Sequence, residues 1–227
     1  MLILAMESSA KPASVAICND KFLLGQYFQN NGLTHSRTLM VMVESLLNNL
    51  DIKLSELDLI AVSKGPGSFT GVRIGVSAAK GIAWSLDIPI AGVSTLEAMA
   101  YQTSIPDAII CPVMDARRGQ VYNALFEWKN GIPVRFCEDR ALSLEDLSRQ
   151  IKSFAKPVVL IGDGAGLTDD YLKGMGLTCN IAPELMRWQT AYGVALASAV
   201  IQPVPAIVLE PSYLRPSQAE REAAAHR

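Results

Sequence analysis

The feature that most constrains the fold of this chain is an order of predicted elements that occurs twice along its 227 residues. The first half opens with three short apolar runs separated by turns and continues with helical and strand-like segments in alternation. In the clearest helix, Leu39, Met42 and Leu46 fall on one face at about 100° per residue, and charged residues lie opposite. The predicted elements of this half are strands at 2–6, 14–18, 22–28, 57–63 and 88–93 and helices at 35–50, 70–86 and 94–102.

The same order begins again after Pro106. Asn130-Gly131 is a strong hairpin signal between two strands, and Ser143 is a good N-cap for the helix that follows them. The predicted elements of this half are strands at 108–114, 120–128, 134–138 and 158–161, a helix capped at 143 and a long helix at 184–201.

A β-β-β-α-β-α order that recurs is the organisation of actin-like, Hsp70-like and hexokinase-like proteins. We therefore predict a duplicated α/β fold of this class, with two lobes that face each other across a cleft. Each lobe is expected to contain a mixed sheet that opens with a three-strand meander. The predicted lobes are residues 1–104 and 105–216, and the tail at 217–227 is expected to be mobile.

Charge and composition restrict the function. The formal net charge is −2, from 20 basic and 22 acidic residues, and no basic run is longer than Arg117-Arg118. Direct strong binding to nucleic acid needs a concentrated positive field and is not predicted. The chain starts without a signal peptide and has no apolar run of about 18 residues, so we expect no membrane segment. Four widely spaced cysteines predict reduced thiols in a cytoplasmic protein: Cys18, Cys111, Cys137 and Cys179.

A glycine-rich stretch lies between a buried strand and a helix, and it reads Gly65, Pro66, Gly67, Ser68, Phe69, Thr70, Gly71. One interpretation is a loop that faces a phosphate or a partner, since free amides at a helix N-terminus attract anions and Thr70 could cap the helix. The other is a tight turn from strand to helix. The stretch lacks the ending of a P-loop and the spacing of a dinucleotide-binding motif, so the pattern alone leaves both open.

The stretch from Gly65 to Gly75 resembles the signature of the TsaB/YeaZ family, and the resemblance in layout extends over residues 1–216. Supporting matches, in order, are His35-Ser36-Arg37, Ala79-Lys80-Gly81, Gly92-Val93-Ser94-Thr95-Leu96-Glu97, Asp115-Ala116-Arg117 and Tyr213-Leu214-Arg215.

The resemblance implies a non-catalytic scaffold that pairs with a TsaD-type catalytic paralogue and a TsaE-type ATPase. Together they transfer threonylcarbamoyl to adenosine 37 of tRNA. It further implies a homodimer when the chain is alone, contact with tRNA only through the complex, and ATP or ADP only in the assembled complex, with no cofactor or metal bound by this chain alone.

The histidines argue against chemistry by the chain itself. The catalytic paralogue binds a metal through a His-x-x-x-His pair, but here Leu39 follows His35 at that spacing. The other histidine, His226, is close to the C-terminus. A glycoprotease-like peptidase is the alternative function, and it is disfavoured because it needs this metal pair or a base beside a nucleophile. A kinase on the same fold would need a phosphate-binding turn, which Ser8-Ser9-Ala10 does not supply.

Four residues are candidate contacts of a nucleotide or of the cleft: Glu7, Asp115, Arg117 and Asp163. Glu7 and Asp115 end the first strand of each half, where actin-like ATPases hold acidic groups near magnesium and phosphate. Glu7 departs from the Asp that the TsaB/YeaZ family usually has there. Asp163 lies in a Gly-Asp-Gly sequence that is also typical of an ordinary turn.

The first two helices of the chain are candidates for a partner interface. Their apolar arc is wider than a surface helix needs, although core packing explains most such residues. In the TsaB/YeaZ family these helices pair with a like subunit or with the catalytic paralogue. The predicted interface residues are His35, Leu39, Met42, Val43, Leu46, Arg73, Val76, Lys80 and Trp84.

Overall fold

A computed structural model describes residues 1–215. In the first half, β1 (Leu2–Glu7), β2 (Ala13–Asn19) and β3 (Phe22–Gln29) are followed by α1 (His35–Leu50), β4 (Leu59–Gly65), α2 (Phe69–Leu86), β5 (Ile90–Ser94) and α3 (Thr95–Gln102). Each predicted element of this half is confirmed to within two residues at its ends. Helix α3 begins as predicted, because the hydroxyl of Ser94 accepts a hydrogen bond from Glu97 N.

The second half holds more elements than the sequence predicted. They are β6 (Ile109–Arg117), β7 (Gln120–Asn123), β8 (Phe126–Lys129), β9 (Ile132–Arg135), β10 (Arg140–Ser143), α4 (Leu144–Lys152), β11 (Val158–Ile161), α5 (Ala165–Gly174), β12 (Asn180–Ile181), α6 (Glu184–Arg187) and α7 (Ala191–Ser198).

Two predictions for this half are wrong, and one is shifted. The strand predicted at 120–128 is two strands, and the helix predicted at 184–201 is two short helices. The strand predicted at 134–138 is β9, which ends at Arg135, and β10, α5 and β12 were not predicted.

The two halves form two sheets with the same strand order. The first sheet runs β3-β2-β1-β4-β5 and the second β10-β7-β6-β11-β12. In both, the opening strand pairs antiparallel with the strand after it and parallel with a later one. The β8–β9 hairpin pairs with the amino-terminal end of β6, so β10 takes the place that β3 has in the first sheet. The duplicated actin-like α/β fold is therefore confirmed, with an inserted hairpin in place of a simple second meander.

The sheets are covered by helices on both faces. Helices α1 and α2 pack on one face of the first sheet, and α4 and α5 pack on one face of the second. Helix α3 lies between the lobes, since Ala98 packs with the first sheet while Leu96 and Met99 pack with the second. Helix α7 and Leu209 also pack on the first sheet. The last segments of the chain therefore do not follow the predicted lobe boundary at residue 104. Helix α7 and Leu209 fall in the second predicted lobe but pack on the first sheet. No helix among residues 1–215 is long and apolar enough to cross a bilayer.

Candidate functional site

The carboxyl ends of the parallel strands of both lobes face a common cleft, which is the usual position of a site in an open α/β fold. A cavity of about 370 Å³ lies there. It is lined by the turn after β1, the glycine-rich loop after β4, the end of β6, Asp163 after β11 and the segment 212–215. The duplication thus brings the predicted cleft residues from both halves to one place.

The glycines of the loop after β4 face the chain itself. A Cβ atom on Gly67 would lie 2.3 Å from the carbonyl oxygen of Ser9, and one on Gly71 would lie 2.2 Å from that of Ser8. Hydrogen bonds join the same segments, since Ser68 N donates to Ser9 O over 2.6 Å and the Ser8 hydroxyl donates to Gly71 O over 2.9 Å. The glycines are therefore needed so that the loop can pack on the turn after β1, which is the second of the two sequence interpretations.

The cap of α2 differs from the prediction. Helix α2 begins at Phe69, and the hydroxyl of Ser68 accepts a hydrogen bond from Gly71 N over 3.3 Å. Thr70 lies inside the first turn and does not cap the helix. Proline at 66 and serine at 68 place the cap two residues earlier than the sequence pattern suggested.

Glu7 is buried beneath the loop and does not line the cleft, which corrects its prediction as a cleft contact. Its side chain is fully buried. It accepts hydrogen bonds from Ser9 N over 2.6 Å and from the Ser63 hydroxyl. Burial raises the pKa of this carboxyl above its ordinary value, although the serine hydrogen bonds oppose the shift. The residue therefore organises the turn after β1 from inside the first lobe.

Asp115, Arg117 and Asp163 meet at the cavity as predicted. Asp115 Oδ1 accepts a hydrogen bond from Arg117 N over 2.7 Å, and its other oxygen lies 3.2 Å from the Arg117 guanidinium. Asp163 accepts a hydrogen bond from Gln189 Nε2 over 2.8 Å. Burial raises the pKa of Asp163, and the nearby Asp115 adds to this shift. The cavity is therefore lined by two carboxylates of the second lobe and by an exposed arginine that pairs with one of them.

Asp163 is both a cleft residue and part of a turn. Gly162 has a φ of 101°, and a Cβ atom on it would lie 2.2 Å from Val113 O. Gly164 N donates to the same carbonyl over 3.1 Å. Both glycines thus hold the turn against β6, and Asp163 is directed into the cavity between them.

His35 is the first residue of α1, and its ring is held by the turn after β1. Nε2 lies 2.8 Å from the carbonyl oxygen of Ala10, which can only accept, so Nε2 carries the hydrogen. Nδ1 is buried without a hydrogen-bond partner. Leu39, one turn later, is in the core. Among residues 1–215 no three His, Cys, Asp or Glu side chains form a group that could bind a metal; His226 lies outside the described residues.

Most of the residues predicted to meet a partner are in the core of the chain. These core residues are Leu39, Met42, Val43, Leu46 and Val76. They pack against the first sheet, since the most apolar stripe of a helix is the stripe that the fold buries first. Their assignment to an interface is therefore corrected.

Arg73 and Lys80 are hydrogen-bonded to the C-terminal segment of the chain. Of the predicted interface residues, Trp84 is freely exposed, at 67%.

Two apolar residues on the outer side of α1 are absent from the predicted interface residues. Met40 is 45% and Val41 58% exposed, and they lie on the side of the helix away from the sheet. Their outward position follows from the 3.6-residue period once Leu39 and Val43 are placed in the core. Trp84 of α2 is exposed as well, and we call the three exposed residues Met40, Val41 and Trp84 together the outer face of α1 and α2.

The two sheets have the same strand order and face each other across a cleft, and each opening strand has a carboxylate near its end. This arrangement defines a two-lobed protein of the actin-like class. The family model for "TsaD: tRNA N6-adenosine threonylcarbamoyltransferase" matches residues 30–157. The TsaB protein of Bacillus subtilis (strain 168) is 41% identical over 167 residues, which are 74% of this chain and 73% of that protein. TsaB of Escherichia coli (strain K12) is 32% identical over 180 residues, 78% of each chain.

Solved structures agree with these relatives. YeaZ from Pseudomonas aeruginosa superposes with a TM-score of 0.79 at 27% identity, covering 94% of this chain and 99% of that one. A second structure from that organism, described by its similarity to "peptidase YEAZ", superposes with a TM-score of 0.80 over the same shares. The chain belongs to the TsaB family of tRNA threonylcarbamoyladenosine biosynthesis.

Proposed function

We propose that this chain is a non-catalytic, cytoplasmic subunit that activates a TsaD-type catalytic paralogue for threonylcarbamoyl transfer to tRNA, with a TsaE-type ATPase as a third component. The observation that carries the proposal is the outer face of α1 and α2. It exposes Met40, Val41 and Trp84 on two adjacent long helices. Large side chains of this kind, Trp above all, are typical anchors of protein interfaces.

The charge distribution of the helices supports the same surface. None of the ion pairs among residues 1–215 involves α1 or α2, whereas α4 carries Arg149 paired with Glu145 and Asp146. Small residues, Ser77 and Gly81, are exposed on α2 beside Trp84. A partner helix can therefore approach α2 closely without separating charged pairs from each other.

The surroundings of His35 support a role without chemistry. The ring donates through Nε2 to a backbone carbonyl, and its other nitrogen is buried. A peptidase would need a histidine nitrogen free to accept a proton from a nucleophile. This geometry therefore favours the scaffold over the peptidase. The proposal also takes ATP or ADP to bind only in the assembled complex and tRNA to be contacted only through it.

The test is a reconstitution in which threonylcarbamoyladenosine in tRNA is measured with and without this chain. The reaction contains the catalytic paralogue, the ATPase subunit and the enzyme that forms the threonylcarbamoyl adenylate. We expect product to depend on this chain and none to form when this chain replaces the catalytic paralogue. Equal product without the chain would contradict the proposal.

The interface is tested separately with Trp84→Asp and Val41→Asp. Both residues are exposed, so the variants should keep the melting temperature of the native protein while pairing with the paralogue is lost in sedimentation. Leu185→Asp is the matched control, since Leu185 is 94% exposed in the second lobe. Normal pairing by both variants would exclude this face, and the same experiment without paralogue shows whether the chain forms a homodimer through it.

A further inference from the structure

The last described segment, residues 203–215, runs along the first lobe and then enters the cleft. We call it the C-terminal strap. Val204 exchanges two backbone hydrogen bonds of 2.9 Å with Ile90 at the edge of the first sheet. Lys80 Nζ then donates to the carbonyl oxygens of Ile207 and Leu209, over 3.2 and 2.8 Å. The lysine of α2 thus fixes the direction in which the strap approaches the cleft.

The end of the strap occupies the middle of the cleft and contacts both lobes. Ser212 N donates to Lys64 O in the first lobe over 2.6 Å, and Arg215 donates to Ala116 O in the second over 2.7 Å. Ser212 and Leu214 line the cavity of about 370 Å³ on the Asp163 side. They also line a second cavity of about 420 Å³ on the side of Arg135. The strap therefore divides what would otherwise be a continuous cleft.

Tyr213 is held by the beginning of α2. Its ring centroid lies 4.8 Å from that of Phe69, and its hydroxyl accepts a hydrogen bond from Arg73 Nε over 2.8 Å. The Arg73 guanidinium also lies 5.6 Å from the centre of the Tyr213 ring and 3.8 Å from that of Phe69. Stacking, a cation–π contact and a hydrogen bond thus converge on one side chain of the strap.

The glycine-rich loop is shaped to receive the strap. Gly65 has a φ of 116°, and a Cβ atom on it would lie 2.3 Å from Ser212 O. Phe69 from the same loop contacts Tyr213. The loop is therefore packed between the turn after β1 on one side and the strap on the other, which leaves its glycines engaged with the chain's own backbone.

We propose that Ser212–Arg215 is an internal clamp that occupies the cleft in place of a ligand and holds the two lobes at a fixed separation, with the glycine-rich loop as its seat. A segment bonded to β4 on one lobe and to β6 on the other resists any opening that would separate these two strands. The clamp depends on contacts within this chain and does not rest on the proposed function. It also gives Tyr213-Leu214-Arg215 a structural role that the sequence did not suggest.

Hydrogen–deuterium exchange of the full chain tests the clamp, with one reporter on each side of the cleft. Ser68 N is bonded to Ser9 O in the first lobe, and Arg117 N is bonded to Asp115 in the second. In Tyr213→Ala both amides should exchange about tenfold faster, which corresponds to the combined loss of an aromatic pair and a cation–π contact. Tyr213→Phe keeps the stacked ring and should give a smaller increase, about threefold.

Two controls make the result specific. Glu210→Ala alters an exposed strap residue and should leave both reporters unchanged. Peptides from the second half of α4, which packs on the face of the second sheet opposite α3, should keep their native exchange in every variant. Faster exchange that is confined to residues 209–215 of Tyr213→Ala would overturn the proposal, because the strap would then rest on the cleft without holding the lobes. Faster exchange in α4 as well would also overturn it, since the effect would be global unfolding.

Discussion

The opening strand of each lobe carries a carboxylate with the same local hydrogen bond and opposite surroundings. Glu7 accepts from the amide two residues later over 2.6 Å, and Asp115 does the same over 2.7 Å. Yet Glu7 is fully buried, whereas the side chain of Asp115 is 28% exposed and pairs with Arg117. The duplicated turn has kept this hydrogen bond while the environments of the two carboxylates have diverged.

The loop after the neighbouring strand accounts for this difference. In the first lobe, Gly67 and Gly71 let that loop pass directly over the backbone of the turn that follows Glu7. In the second lobe, Gly162 packs against Val113, two residues before Asp115, so the end of β6 stays open to the cavity. The comparison teaches that in the first lobe the chain's own backbone covers the carboxylate, an arrangement we call the seal, whereas the carboxylates open to the cavity belong to the second lobe.

The largest expected effect on stability is that of Gly71→Ala, which disrupts the packing of the glycine-rich loop on the turn after β1. The new Cβ atom would lie 2.2 Å from Ser8 O, so the loop must move, and we expect a loss of about 3 kcal/mol in the free energy of unfolding. Gly81→Ala in the same helix is the control. Nothing lies within 4 Å of its Cβ position, so it should stabilise by up to about 1 kcal/mol. Urea unfolding measures both, and equal stability of the two variants would show that the loop does not seal the first lobe.

The second prediction concerns the pH dependence that burial of Glu7 creates. Because its folded pKa is raised, its contribution to stability is fully present below about pH 4.3 and is lost as the pH rises through the folded pKa. Glu7→Gln does not titrate. Between pH 4 and 8 the variant should therefore gain stability relative to the native protein, by about 1.4 kcal/mol for each unit of the raised pKa.

Denaturant unfolding at several pH values gives this difference directly. The control is Asp115→Asn, whose carboxylate is open to solvent. A stability difference for Glu7→Gln that does not change with pH would mean that this carboxylate is not desolvated in the folded protein.

Sequence periodicity predicted the strands and helices of the first lobe more closely than those of the second, and the difference has a physical cause. The strands and helices of the first lobe each bury one regular face. In the second lobe, β7 pairs with the later part of β6 and β8 with its beginning, so the chain breaks near Ala124 although the apolar run continues. The predicted helix at 184–201 is interrupted because Gln189 is buried and bonds Asp163, and Thr190 caps α7. These interruptions depend on distant partners that local patterns do not contain.

The site was predictable in part. The ends of β6 and β11 follow from the strand order, which placed Asp115 and Asp163 correctly at one cleft. The proposed partner face was not predictable, because amphipathicity identifies the buried stripe of a helix, and Met40 and Val41 lie outside it. The contact between Tyr213 and Phe69 joins residues far apart in sequence and left no local signal.

A smaller effect is expected from the helix caps, which the two lobes share. Ser68 caps α2 and Ser143 caps α4, each by accepting a hydrogen bond from the amide three residues later. Ser68→Ala and Ser143→Ala should each cost about 1 kcal/mol in the free energy of unfolding. Urea titration of the two variants measures this. A cost at Ser68 that is several times larger would show that its hydroxyl also supports the seal.

The smallest effect is expected for Asp115→Asn, at the open counterpart of Glu7. Its ion pair with Arg117 is largely exposed, since the arginine side chain is 82% accessible, and such pairs contribute about 0.5 kcal/mol. Asparagine can still accept the hydrogen bond from Arg117 N, so the turn should persist and the melting temperature should change little. Raising the salt concentration should remove the remaining difference from the native protein, because exposed charges are screened. A loss above about 2 kcal/mol that salt does not reduce would place Asp115 in the same desolvated class as Glu7, and the contrast between a sealed first lobe and an open second lobe would no longer hold.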